Sequence, residues 1–171
     1  MPTLVMANKN YSSWSVRPWF FLRAVGILFE EKVVGLGTPG FAQTVAKVSP
    51  SGRLPTLVLD DGETIYDSLA IGEHLAEQYP DKGVWPADAK ARRRARSACA
   101  EMHSGFGDMR HVLTCNARRK YPPSVWRKVA STDGRVAAVE ADIARMHALW
   151  TELREASGGP FLCGSFGFVA A

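Results

Sequence analysis

The order of apolar runs and chain breakers predicts an α/β N-terminal domain followed by an all-helical C-terminal domain. Three observations carry that expectation. A short β-branched run at the start gives way at once to helical spacing, a hairpin signal sits at Asp60-Asp61-Gly62, and strand signals vanish after the turn-rich stretch Gly83 to Ala89. The predicted boundaries are 1–83 for the first domain, 84–89 for a linker and 90–171 for the helical domain.

Taken in order, Thr3 to Ala7 is short and apolar and reads as a buried strand. Asn8 to Ser13 is a polar loop that ends in helix-capping serines. Trp14 to Val25 carries Val16, Trp19, Phe20 and Ala24 near one helical face, and Gly26 follows where a C-terminal cap belongs. Pro18 falls near the first turn, where it costs little. Ser15 is assigned to the surface of this helix. Phe29 to Val34 reads as a second strand and Thr38 to Val48 as a short helix. After the Ser49 to Arg53 turn, Thr56 to Leu59 and Thr64 to Tyr66 form a hairpin, and Ser68 to Gln78 is helical. The resulting order, βαβ-α-ββα, fits a thioredoxin-like domain with one mixed four-stranded sheet flanked by helices.

Beyond the linker, Lys90 to Leu113 reads as one long helix, and Tyr121-Pro122-Pro123 breaks the chain. Thr132-Asp133-Gly134 is expected to cap a further helix. In that helix Val136, Val139, Ile143, Met146, Trp150 and Leu153 form one apolar stripe, expected to be buried. Trp14, Trp19 and Trp85 are assigned to packing.

With 171 residues, nearly half of them apolar, the chain can bury a real core. No apolar run reaches the length of a membrane span, and the N-terminus lacks a signal-peptide pattern, so no membrane is expected and the cytoplasm is the simplest location. Cys99, Cys115 and Cys163 form neither a CxxC pair nor a zinc pattern, and are expected to be buried reduced thiols. No metal is implied. The net charge of +4 comes largely from Lys90, Arg92, Arg93, Arg94 and Arg96. These residues lie in an Ala-rich helical run without interleaved aromatic residues, so a solvated or subunit-interface face is expected rather than nucleic-acid binding.

Several motifs together carry a resemblance. Arg53-Leu54-Pro55-Thr56-Leu57, then the hairpin, then Asp67-Ser68-Leu69-Ala70-Ile71 resembles the glutathione-binding signature of cytosolic glutathione transferases. Tyr11-Ser12-Ser13-Trp14-Ser15-Val16-Arg17 resembles the serine motif of the zeta, theta and related bacterial classes. Glu101-Met102-His103-Ser104-Gly105-Phe106 is similar to the first long helix of the helical domain in bacterial members. The resemblance implies glutathione as co-substrate, a small hydrophobic electrophile as second substrate, a homodimer and a detoxifying transferase. It also implies that the family's next buried helix, with its capping box, would begin after Phe161 to Phe166. Here Gly167 to Ala171 follows instead, so a shortened helical domain is expected.

The expected chemistry follows the shape of the tripeptide. Pro55 stands before a strand, where a cis bond would turn the Leu54 backbone outward to pair with an extended peptide. Ser68 and Asp67 lie at a helix start, which suits a carboxylate, with Asp67 facing the γ-glutamyl ammonium or simply capping the helix. Many family members have Glu or Gln where Asp67 stands. Lys47 or Arg53 is a candidate partner for the glycyl carboxylate. A serine hydroxyl at a helix start can stabilise the thiolate, the nucleophilic form of a thiol whose ordinary pKa is near ~8.5. Ser12 is the first choice for that role, Ser13 the second, and Tyr11 a competing hydroxyl. Met102, His103 and Phe106 are candidates to line the electrophile site, which in the family lies between the domains. Trp14 stands where zeta members carry a cysteine, a departure that counts against maleylacetoacetate isomerase activity. The other readings are a non-catalytic binding or interaction module and a glutathione-dependent isomerase or peroxidase on the same fold.

Overall fold

The computed structural model describes residues 1–122 and 124–171. Pro123, the last residue of the expected break, lies outside the described residues. The backbone divides into two compact units, Met1–Trp85 with Ala171, and Pro86–Ala170.

In the first unit the elements run β1 (Thr3–Ala7), α1 (Ser13–Ala24), β2 (Glu30–Val34), α2 (Phe41–Ala46), β3 (Thr56–Val58), β4 (Thr64–Tyr66) and α3 (Ser68–Gln78), then a 3-10 turn at Pro80–Lys82. One mixed sheet has the order β2-β1-β3-β4, with β1 parallel to β2 and antiparallel to β3. The order is that of a thioredoxin-like domain. Alternation along β1 sends Val5 to one face, where Val34 and Val45 meet it beside Phe41, Val48 and Leu54. Leu4 and Met6, also fully buried, take the other face, against which α1 brings the buried Phe21 and Leu22 and α3 brings Ile71 and Leu75. Gly62, at φ +88°, makes the expected hairpin turn.

The second unit is all helical: α4 (Ala89–Ser104), α5 (Gly107–Val112), α6 (Val125–Thr132), α7 (Val136–Ser157) and a 3-10 turn at Phe168–Ala170. Asp88 starts α4 by accepting the Ala91 N–H at 2.7 Å. The basic run lies along α4, where the Arg92 guanidinium donates to the Pro86 and Ala87 carbonyls while Arg93, Arg94 and Arg96 are exposed. Helix α7 is tied to its neighbours by Arg145 on Glu101, Asp142 on the Met109 N–H, and Arg135 on Asp108.

Four expectations for this half need correction. The helix expected over Lys90 to Leu113 is two helices. Gly105 closes α4, where a Cβ would come within 2.8 Å of the Glu101 carbonyl oxygen, and Phe106 takes a left-handed backbone at φ +56°. Residues 125–132 form α6, a helix that was not expected. The capping residues Thr132 and Asp133 do not cap α7: Thr132 donates back to the Lys128 and Val129 carbonyls, Asp133 pairs with His111, and Arg135 precedes α7 without a side-chain cap. On α7, Val139, Leu149 and Leu153 are buried, whereas Trp150 is 51% exposed. A seven-residue stripe drifts around a straight helix of 3.6 residues per turn, so over 22 residues the packed face moves off Trp150 onto Leu149.

Candidate functional site

Strand register brings the motif residues to one end of the sheet. Ala7, the last residue of β1, pairs with Val34, the last of β2. Val5 pairs with Thr56, the first of β3, and Thr56 pairs with Tyr66, the last of β4. The loop before α1, the segment before α2, the Leu54-Pro55 step and the start of α3 therefore all emerge at the same edge.

Ser12 is the N-cap of α1. Its Oγ accepts the Ser15 N–H at 3.3 Å and lies 3.1 Å from the Ser15 Oγ. Ser13 is the first residue of the helix and is exposed, and its side chain has no hydrogen-bond partner among the described residues. Tyr11 is 52% exposed. The loop holding Ser12 folds on Asn8, whose carbonyl accepts the N–H groups of Tyr11 and Ser12, while its Oδ1 accepts the Leu36 N–H at 2.7 Å. Ser15 is not on the helix surface. It is fully buried, and its Oγ accepts the Ala7 N–H at 3.1 Å. The available signal was its phase: Ser15, Pro18 and Leu22 fall on one face, and Ser15 is the third residue after the cap, the position a capping hydroxyl reaches.

Sequence reasoning also missed Glu31. Its carboxylate accepts from Lys9 Nζ at 2.5 Å, Trp19 Nε1 at 2.6 Å and Arg23 NH2 at 2.5 Å. Partial burial opposes its ionisation, yet the hydrogen bonds from Lys9, Arg23 and Trp19 outweigh that and hold the carboxyl down at about 2. Lys9 also lies 4.3 Å from the centre of the Trp19 ring. The cluster joins the Ser12 loop to α1 and β2. Lys9, Trp19 and Arg23 lie 22, 12 and 8 positions before Glu31, so only the fold brings them onto one carboxylate. Trp14, half-buried, stacks under the Arg17 guanidinium at 3.9 Å, and the buried Trp85 donates to Glu73 at 3.1 Å.

The Leu54–Pro55 peptide is cis. Leu54 is half-buried beside Val45, and its N–H and C=O have no hydrogen-bond partner among the described residues. Lys47 follows α2 and Arg53 precedes Leu54. Both are exposed, with no ion pair among the described residues.

Asp67 is the N-cap of α3, and its Oδ1 accepts the Leu69 N–H at 2.8 Å. Its backbone, at φ 85° and ψ 134°, lies in a region that favours glycine. Ser68 is 4% exposed, yet its hydroxyl has no hydrogen-bond partner among the described residues and is not sealed from solvent. Its N–H, in the first turn of α3, is unclaimed as well. The helix start thus presents an open donor pair of the kind that suits an anion.

The other singled-out residues lie in the second unit. Met102 and His103 are half-buried in the last turn of α4, and Phe106 is 5% exposed. All three cysteines are reduced. Cys163 is buried, and that burial raises its pKa, whereas Cys99 and Cys115 are only half-buried, against expectation. Among the described residues, no group of three or more His, Cys, Asp or Glu could hold a metal, and no helix is long and apolar enough to cross a membrane.

Comparison with known proteins finds likenesses in sequence and fold. Residues 11–78 match the family model described as glutathione S-transferase, N-terminal domain. A probable maleylacetoacetate isomerase from Caenorhabditis elegans is 32% identical over 111 residues, which are 65% of this chain and 50% of that protein. The chain thus spans about half the length of that relative. A zeta-class glutathione S-transferase from Euphorbia esula is 28% identical over 170 residues, 99% of this chain and 72% of that protein. Among solved structures, a sphingomonad glutathione S-transferase complexed with glutathione superposes with a TM-score of 0.64 at 26% identity, covering 98% of this chain and 76% of the other. Residues 11–78 are thus similar to the glutathione S-transferase N-terminal domain, and zeta-class and maleylacetoacetate isomerase sequences are among the proteins the chain resembles.

Proposed function

We propose that the chain binds glutathione along the edge where β1 and β4 end and β3 begins, and stabilises its thiolate for attack on a small hydrophobic electrophile. The observation that carries this reading is the convergence at that edge of two unclaimed donor–acceptor groups, the Leu54 backbone pair and the Ser68 hydroxyl and N–H, with the half-buried Ser12 that caps the start of α1. Leu54 pairs with the cysteinyl amide as an added strand would. Ser68 receives the γ-glutamyl carboxylate at the positive end of α3, and Asp67 faces the ammonium. Lys47 or Arg53 answers the glycyl carboxylate.

In this reading Ser12 donates its proton to the sulfur, and the start of α1 adds partial positive charge. One unit of thiol pKa corresponds to about 1.4 kcal/mol, within reach of one hydrogen bond to a charged acceptor. The serine orients the sulfur and makes no covalent bond. Met102, His103 and Phe106 remain the candidates for the electrophile side. A cytoplasmic homodimer that detoxifies electrophiles fits this reading.

The test is glutathione binding and turnover with a chlorodinitrobenzene-type acceptor for the wild type, Ser12→Ala and Ser13→Ala. Retained binding with at least tenfold lower turnover in Ser12→Ala alone is expected. Equal turnover in all three overturns the assignment of Ser12. Full binding without turnover in the wild type would point to a non-catalytic module. A glutathione-dependent isomerase is the second reading, favoured by the isomerase relatives, with Trp14 in the serine motif counting against it. Turnover of maleylacetoacetate in place of the aromatic acceptor would select it.

A further inference from the structure

We propose that Asn8 is a positioning residue: its side chain ties the Ser12 turn to the end of β2 and so sets where the Ser12 hydroxyl meets the glutathione sulfur. The inference rests on the thiolate-stabilising reading above. The last paired position of β1 and β2 is Ala7 with Val34, and the ladder ends there. Just beyond it, Asn8 uses both of its oxygens. Its main-chain carbonyl accepts the Tyr11 N–H at 3.0 Å and the Ser12 N–H at 2.9 Å. Those two bonds close the turn that delivers Ser12 to the start of α1. They also fill both lone pairs of the carbonyl, so only the side chain is left to cross to the neighbouring segment. Its Oδ1 accepts the Leu36 N–H at 2.7 Å, two residues past the end of β2.

All three donors to Asn8 are main-chain N–H groups, so none of these bonds can reverse. The same fact orients the amide, because only its oxygen can receive the Leu36 N–H. From the other side, Ser12 is held by its cap on α1, where its Oγ accepts the Ser15 N–H at 3.3 Å. Lys9 adds a second tie, from its ammonium to Glu31 in β2. That tie runs through a long flexible stem. The Asn8 amide instead sits on the residue whose carbonyl holds Ser12. Position matters at such a site, since a misplacement of about 1 Å can cost about 100-fold in rate. Asn8 carries no charge and takes part in no proton transfer. Its contribution is to the place of the Ser12 hydroxyl.

The experiment has two parts and compares the wild type, Asn8→Ala, Asn8→Asp and Ser12→Ala. Amide hydrogen exchange is first measured without glutathione. Substitution of Asn8 keeps the main-chain carbonyl that Tyr11 and Ser12 bond, so faster exchange at those amides reports the lost side-chain tie. Exchange about fivefold faster there and at Leu36 is expected in Asn8→Ala, with the β1 amides unchanged. Asn8→Asp, which keeps the Oδ1 acceptor, is expected to exchange like the wild type. Then kcat and KM for glutathione are followed against pH, up to the plateau where the bound thiol is ionised. On that plateau Asn8→Ala is expected to lose about tenfold in kcat with KM within about twofold, and Asn8→Asp to recover most of the loss. The charge of the aspartate shifts the midpoint of the profile and leaves the plateau as the measure of position. If Asn8→Ala does not fold, Asn8→Ser, whose hydroxyl is too short to reach Leu36, is held to the same expectation. A wild-type plateau in a folded Asn8→Ala or Asn8→Ser overturns the proposal even if stability falls, because that pattern is structural. Unchanged exchange at Tyr11 and Ser12 overturns it as well. Wild-type turnover in Ser12→Ala overturns the underlying thiolate reading. Loss in Ser12→Ala with none in Asn8→Ala overturns the role of Asn8 alone.

Discussion

Asp67 and Ser68 divide two duties at one helix start. Asp67 closes the N-terminus of α3 through the Leu69 N–H and pays for its place with a backbone conformation that suits glycine. Asp67→Ala removes the cap and keeps the unfavourable φ, so it is expected to destabilise the chain by about 1–2 kcal/mol, read by urea denaturation. Ser68 caps nothing and so is free to serve a ligand. Ser68→Ala is expected to raise the KM for glutathione about tenfold with little change in kcat, because a hydrogen bond to a charged group contributes about 1.5–3 kcal/mol to binding. A fall in kcat at constant KM would argue against Ser68 as an anchor. The cis bond before Pro55 and the Asp67 cap were legible in the sequence because each belongs to a short contiguous motif. Ser15 was misread because polarity was allowed to outweigh its helical phase.

At the scale of elements, the Ser12 loop, α1 and β2 are joined through Glu31. An ordinary glutamate titrates near 4.5, and here the carboxyl is held at about 2. The folded state therefore prefers the charged form, and the stability it contributes is present above pH 4.5 and is lost as the pH falls toward 2. Compared with the wild type, Glu31→Gln should cost about 1 kcal/mol at pH 7 after allowance for solvent screening. The gap should close on acidification through that window. Thermal midpoints of both proteins at a series of pH values check this, and a pH-independent gap would count against it. Strands and helices of the first unit were readable to within a few residues, since period-two and helical spacing are local signals. The break at Gly105 and Phe106 was marked by two glycines around one aromatic residue, a punctuation the apolar spacing overran. Helix α6 follows two exposed residues of a proline break; Val125, Trp126, Val129 and Ala130 do recur at helical spacing, but the break beside them was allowed to outweigh that signal.

For the whole molecule, binding to the folded state alone must stabilise it by mass action. Glutathione at about 100 times its dissociation constant should add about 2.7 kcal/mol to unfolding. Added hydrogen-exchange protection should concentrate at the Leu54, Ser68 and Ser12 backbone in the first unit, with the second unit unchanged. A uniform change across both units, or none at Leu54, would contradict the proposed binding edge.

The sequence by itself determined the α/β-then-α order, the hairpin, and the identity of the motif residues, because these depend on neighbours a few positions apart. Tertiary structure alone decided that Lys9, Trp19 and Arg23 share one carboxylate, and that Leu149 rather than Trp150 packs. Each of these depends on strand register or on the drift of a long helix against its partners. Such geometry accumulates over distance, whereas local spacing records only the nearest turns.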